Sequence, residues 1–192
     1  VKRAFILIAL AVLACRGAEK AVPSSPAKPA TATKQTQTQP PPETASASAK
    51  VGDAMPAYTA KTLGGAPYDL ASEKGSVVLV NVWATWCGPC RFEIPELQKM
   101  HDELSKRGFK VVGVSVDEGE AKDVQQFVTN QKMTYPVVLD PDGRIANLLA
   151  TTVLPTSVLL DRHGKIVWRE VGAIPAGEPS LKKALDAALA GS

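Results

Sequence analysis

Two cysteines two residues apart, in Trp86-Cys87-Gly88-Pro89-Cys90, are the side chains of this sequence best placed to do chemistry. They follow an apolar run, Val77–Trp83, and stand at the start of a long helical pattern that opens near Pro89. A CxxC pair where a buried strand runs into a helix reads as a redox pair. The free N–H groups and aligned peptide dipoles of a helix start stabilise an anion. A thiolate at Cys87 is therefore favoured over the thiol, and the thiolate is the nucleophile. An unperturbed cysteine with a pKa of about 8.5 is only a few per cent ionised at neutral pH, and such a position can bring it to about 7. Cys90, one turn further on, is placed to close a disulfide and to resolve a mixed one. Between them Pro89 lacks an N–H and suits the first helical turn. The other readings of the pair are a structural bridge or half of a zinc site. Four-ligand zinc needs further Cys or His, and the rest of the folded stretch offers only His101 and His163.

The elements that must position this pair can be read on either side of it. Val77–Trp83 is nearly all apolar, which fits a central strand buried on both faces. The helix after it runs from Pro89 to about Arg107, stopped by Gly108 and interrupted by Pro95, where a kink is expected. Upstream, Tyr58–Lys61 and Ala66–Asp69 flank Gly64-Gly65 as a hairpin. Downstream come a buried strand over Lys110–Val116, a helix over Ala121–Lys132, a short strand at Val137–Leu139 and a short helix over Arg144–Leu149. Thr156–Leu160 and Ile166–Glu170 form a hairpin around Asp161–Lys165, and a last helix spans Pro179–Ala190. Strands alternating with helices, then a hairpin and a helix, predict an α/β fold: a central mixed sheet flanked by helices.

Ahead of this domain the composition changes. Residues 1–14 read as a signal peptide: Lys2 and Arg3 precede an apolar stretch, Ala4–Ala14, of about 11 residues, inside the signal range of roughly 7–15 and short of the roughly 20 that span a bilayer. Val12-Leu13-Ala14-Cys15 resembles a bacterial lipobox, which implies lipidation at Cys15. Residues 15–50 then read as a lipidated N-terminus and a disordered tether, rich in Ala, Pro, Thr and Ser, with too few apolar side chains to offset chain entropy. Fully extended at about 3.1 Å per residue, its roughly 35 residues would reach about 100 Å. The folded domain is 51–192. The formal charge is +3; taking Lys2 and Arg3 from the 22 basic residues leaves 20 against 19 acidic ones, which excludes nucleic acid as the organising partner.

The domain resembles the thioredoxin fold of the TlpA/ResA type, the membrane-tethered thiol–disulfide oxidoreductases. The features that carry the likeness occur in order: the strand and motif of Val78–Cys90, the helix-containing stretch Ala121–Leu149, the loop Leu154-Pro155-Thr156, and the Gly-Lys hairpin after Asp161. The resemblance implies an N-terminal hairpin, a central helical insertion and a cis peptide at Pro155. Its expected site comprises Cys87 as nucleophile, Cys90 as resolving thiol, Glu93 for proton transfer beside an uncharged Asn81, and Pro155. Trp86, Gly88, Pro89, Leu154 and Thr156 are expected to contact substrate, with packing an equal reading for Trp83. No cofactor beyond the Cys87–Cys90 disulfide and no metal are implied. Expected partners are protein disulfides, apocytochrome c among them, and a membrane thiol-relay donor, for a lipid-anchored protein on the periplasmic side. Three alternatives stay beside this reading: a disulfide-forming oxidant, a peroxiredoxin-like peroxidase, and a Sco-like metal carrier. Ala84 stands where peroxidases need Thr, and His163, the one residue pointing to a metal, falls in a turn. His101 is expected at the surface.

Overall fold

The computed structural model describes residues 49–191. The signal segment, Cys15 and the tether as far as residue 48 lie outside the described residues. Folded contacts are already present at Ala49, which is buried and donates its N–H to the Leu148 carbonyl, two residues ahead of the boundary read from composition.

Among the described residues seven strands make one sheet in the order β2-β1-β5-β4-β3-β6-β7. The strands are β1 (Thr59–Thr62), β2 (Pro67–Asp69), β3 (Val77–Trp83), β4 (Phe109–Ser115), β5 (Val137–Leu139), β6 (Thr156–Leu160) and β7 (Ile166–Val171). β3 pairs in parallel with β4, as does β4 with β5, and the remaining pairings are antiparallel, so the sheet is mixed as expected. The helices are α1 (Gly88–Leu104), α2 (Ala121–Asn130), α3 (Arg144–Leu148) and α4 (Pro179–Ala190).

β3 is the axis of the molecule because its seven residues are all buried. Alternation sends Val77, Leu79 and Trp83 into one cluster, with Ile94 and Leu97 of α1, Val124 and Val128 of α2, and Leu181 and Leu185 of α4. Val78, Val80 and Val82 face the other cluster, with Tyr58, Leu70, Ile145 and Leu149. Burying each such side chain contributes roughly 1.5–3 kcal/mol, and this strand does so on both of its faces. Gly108, at φ 83°, ends the 3₁₀ turn that follows α1 in the left-handed conformation that favours glycine.

Gly113 of β4 lies opposite Asn81 for a different reason. A Cβ there would sit 2.9 Å from the Trp83 indole nitrogen and 3.2 Å from the Tyr135 ring. His101 departs from expectation: it is half-buried, its Nδ1 accepts the Val111 N–H at 3.4 Å, and its ring meets Tyr135 edge-on. The cause is tertiary, since β4 brings an N–H under the helix where no local pattern could announce it.

Candidate active site

β3 delivers Ala84-Thr85-Trp86 and then Cys87, which caps α1: its backbone is extended and its Sγ accepts the Cys90 N–H at 3.3 Å. Cys87 and Cys90 are joined in a disulfide. Gly88 and Pro89 form the exposed first turn, with proline where a helix needs no N–H. Cys90 is sealed from solvent while Cys87 keeps a slight exposure, which makes Cys87 the sulfur a partner can reach.

Glu93 follows one turn after Cys90 and is buried at 4% exposure. Its Oε1 accepts the Asn81 side-chain amide at 2.7 Å, and its Oε2 accepts the Ile174 N–H at 2.8 Å. The same amide donates to the Ser157 hydroxyl at 2.9 Å, tying α1, β3 and β6 together under the disulfide. Burial pushes the Glu93 carboxyl above its ordinary value, against the opposing pull of the Ile174 N–H and the Asn81 amide. Tyr135 lies within the field of this carboxylate, and its hydroxyl is pushed up, first by burial and then by Glu93. Three buried polar atoms on this face, Asn81 Oδ1, Trp83 Nε1 and the Tyr135 hydroxyl, take no partner among the described residues.

The Leu154–Pro155 peptide is cis. Thr156 pairs with Val82, so the loop stands at the same end of the sheet as Cys87. The Leu154 N–H and C=O take no hydrogen bond among the described residues, whereas the Pro155 carbonyl is already used by Gly172. Thr156 differs from its expected role as a contact. Its side chain is buried and its hydroxyl donates to the Val153 carbonyl at 2.8 Å, so it braces the loop from within. The two tryptophans divide: Trp83 is fully buried against Phe127, while Trp86 is 69% exposed beside the disulfide. His163 is exposed in the β6–β7 turn. Among the described residues no group of three or more His, Cys, Asp or Glu is arranged to hold a metal.

Sequence reasoning missed Ser157 and the set Thr85, Arg91 and Asp117. Asp117 is buried and accepts both the N–H and the hydroxyl of Thr85. An aspartate just past a buried strand was a legible signal; its partner 32 residues away was not.

The geometry suits dithiol–disulfide chemistry: a capping sulfur at a helix start, a second sulfur behind it, and a buried carboxylate one turn on. The redoxin family model matches residues 50–185. The chain belongs to the redoxin family. It is 31% identical over 123 residues to the thiol–disulfide oxidoreductase ResA of Bacillus cereus, covering 64% of this chain and 70% of that one. It is 33% identical over 129 residues to ResA of Oceanobacillus iheyensis, covering 65% and 67%. Among solved structures, a Chlorobium tepidum protein assigned as thiol:disulfide interchange protein DsbE aligns with a TM-score of 0.68 at 34% identity, over 74% of this chain and 99% of that one. StoA from Bacillus subtilis aligns with a TM-score of 0.57 at 28% identity, over 68% and 97%. This redoxin is therefore a thiol–disulfide oxidoreductase with a thioredoxin-like fold, and Cys87 and Cys90 are its CxxC pair.

Proposed function

We propose that this redoxin reduces protein disulfides outside the cytoplasm by dithiol–disulfide exchange, with apocytochrome c as the substrate class the TlpA/ResA resemblance implies. The observation that carries the reading is the Cys87–Cys90 pair at the start of α1, with Glu93 buried one turn behind it. In the reduced protein the Cys87 thiolate attacks a substrate sulfur, a Cys87–substrate disulfide forms, and one substrate thiolate leaves. Cys90, once deprotonated, attacks Cys87 Sγ, which reforms the intramolecular disulfide and releases the second substrate thiol. Two electrons pass to the substrate. A dithiol relay protein at the membrane restores them, and no further cofactor is needed.

Glu93 is the proton acceptor for Cys90 in this scheme. Its raised pKa keeps it closer to that of a thiol than an exposed glutamate would be, which suits proton transfer between them. The free N–H and C=O of Leu154 support pairing with an extended substrate segment. Cys15 lipidation and the tether would hold the domain near the membrane. Ala84, in place of a threonine, argues against peroxide reduction.

The deciding experiment is the reduction potential of the Cys87/Cys90 couple. A value near thioredoxin's, about −270 mV, fits a reductant, and one near DsbA's, about −120 mV, would replace this reading by an oxidant. Mass spectrometry of the mature N-terminus should find acyl groups on Cys15; an unmodified mature chain rejects the anchor.

A further inference from the structure

The residue two places before Cys87 is gripped from both sides. Thr85 donates its N–H to the two carboxylate oxygens of Asp117 at 3.1 and 3.0 Å, and its hydroxyl to Oδ1 at 2.6 Å. Its carbonyl oxygen accepts from Arg91 Nε at 3.0 Å and Nη2 at 2.7 Å. Asp117, only 9% exposed, is completed by the Ser115 hydroxyl at 2.7 Å. The Arg91 guanidinium rests over the Phe127 ring, which in turn packs on Trp83. Thus α1 and the segment after β4 converge on one threonine, with α2 packed behind the arginine.

Burying a carboxylate is costly unless donors replace its water, and an apolar side chain of similar volume often serves stability as well. The arrangement does something an apolar filler could not: it fixes N–H, hydroxyl and carbonyl of one residue at once. The next residue is Trp86, the exposed indole beside the disulfide. Trp86 lines a groove of about 290 Å³ together with Leu154, Thr152, Ala146 of α3, Val116 and Glu118. Asp117 sits in the chain between those last two residues.

We propose that Asp117 is a positioning residue for exchange with protein disulfides: through Thr85 it holds Trp86 as the fixed wall of a groove that takes the substrate chain beside its disulfide. The proposal rests on the reading that Leu154 pairs with an extended substrate segment. A wall that is already immobile loses less freedom on binding, so the effect falls on chain-like substrates more than on small ones.

The test uses the full chain, reduced beforehand and freed of reductant, and compares its single-turnover rate constants with insulin and with 5,5′-dithiobis(2-nitrobenzoate). Asp117→Ala and Thr85→Val should each lower the insulin-to-small-disulfide ratio about 10-fold, the size of one lost charge-assisted hydrogen bond. Thr85→Ser, which keeps the hydroxyl, should restore the ratio. Should Asp117→Ala fail to fold, Thr85→Val decides, since it keeps the threonine's shape and the Asp117 charge. An unchanged ratio in Thr85→Val, or loss of both rates by the same factor, overturns the proposal. A wild-type protein that reduces the small disulfide but not insulin would instead remove the substrate-pairing reading beneath it.

Discussion

The two ends of β3 are each secured by an arginine, and they are secured differently. At the N-terminal end Arg162 donates to the carbonyls of Gly75, Gly191 and Arg107, at 2.8, 3.1 and 3.5 Å, sewing together three chain segments. At the C-terminal end Arg91 spends its hydrogen bonds on the single carbonyl of Thr85. Beyond Thr85 the chain opens: Trp86 is exposed, and Leu154 offers unused backbone groups. A guanidinium that ties distant segments contributes to stability, whereas one that fixes the approach to a reactive sulfur contributes to geometry. Burial of a carboxyl, with orphaned polar atoms near it, is tolerated at the end where exchange takes place.

Variants can break that contrast, beginning with the largest effect. Cys87→Ser should abolish disulfide turnover, while Cys90→Ser should accumulate the mixed disulfide with substrate; retained turnover in Cys87→Ser would sink the mechanism. Glu93→Gln should slow the resolving step by about 10²-fold, the usual lower size of acid–base assistance, with thiol titration shifted and the fold intact. Unchanged titration and rates would strip Glu93 of its role.

Glu93 also makes a prediction about stability. Its pKa in the fold is raised above the unfolded value of about 4.3, so the fold favours the protonated form. That contribution is complete below the unfolded value and is lost as pH rises through the folded one. Denaturant titrations of the oxidised protein should therefore show wild type losing stability relative to Glu93→Gln as pH rises; a parallel pair of curves would contradict the sign.

At the closed end the expected effects are smaller and fall on stability alone. Arg162→Ala should lower unfolding free energy by about 1.5 kcal/mol, the net worth of bonds from a charged donor, because the exposed Gly75, Gly191 and Arg107 residues regain water at their carbonyls. Exchange rates should not move, and a large drop in them would erase the distinction between the two ends. Smallest is Trp168→Phe, which removes the indole N–H bond to Ser180 at 2.9 Å and should cost about 1 kcal/mol in the same titration.

Much of this was legible because the informative signals are local. The nearly all-apolar run of Val77–Trp83, broken only by Asn81, reads as a two-sided strand, and Cys-Gly-Pro-Cys after it marks the start of α1. Glu93 was singled out by the TlpA/ResA resemblance, its spacing from Cys90 adding only that both lie near one helical face. What stayed hidden depends on contacts between elements distant in sequence: Asp117 reaching Thr85, Ser157 sharing the Asn81 amide, and Val111 claiming the His101 ring. Thr156 misled for a different, local reason: a hydroxyl beside a cis proline can face outward or brace its own loop. Only the Val153 carbonyl decides which.

Gly113 makes the reactive end adjustable from a position that carries no side chain. Its backbone would accept any residue, so only crowding reserves it: an added methyl would press on the Trp83 indole and the Tyr135 ring. From Trp83 the displacement has a ready path through Phe127 and Arg91 to the carbonyl of Thr85. One carbon atom added on the neighbouring strand would thus act as a wedge driven beneath the active-site loop, and for the same reason Gly113 is a natural handle for tuning it.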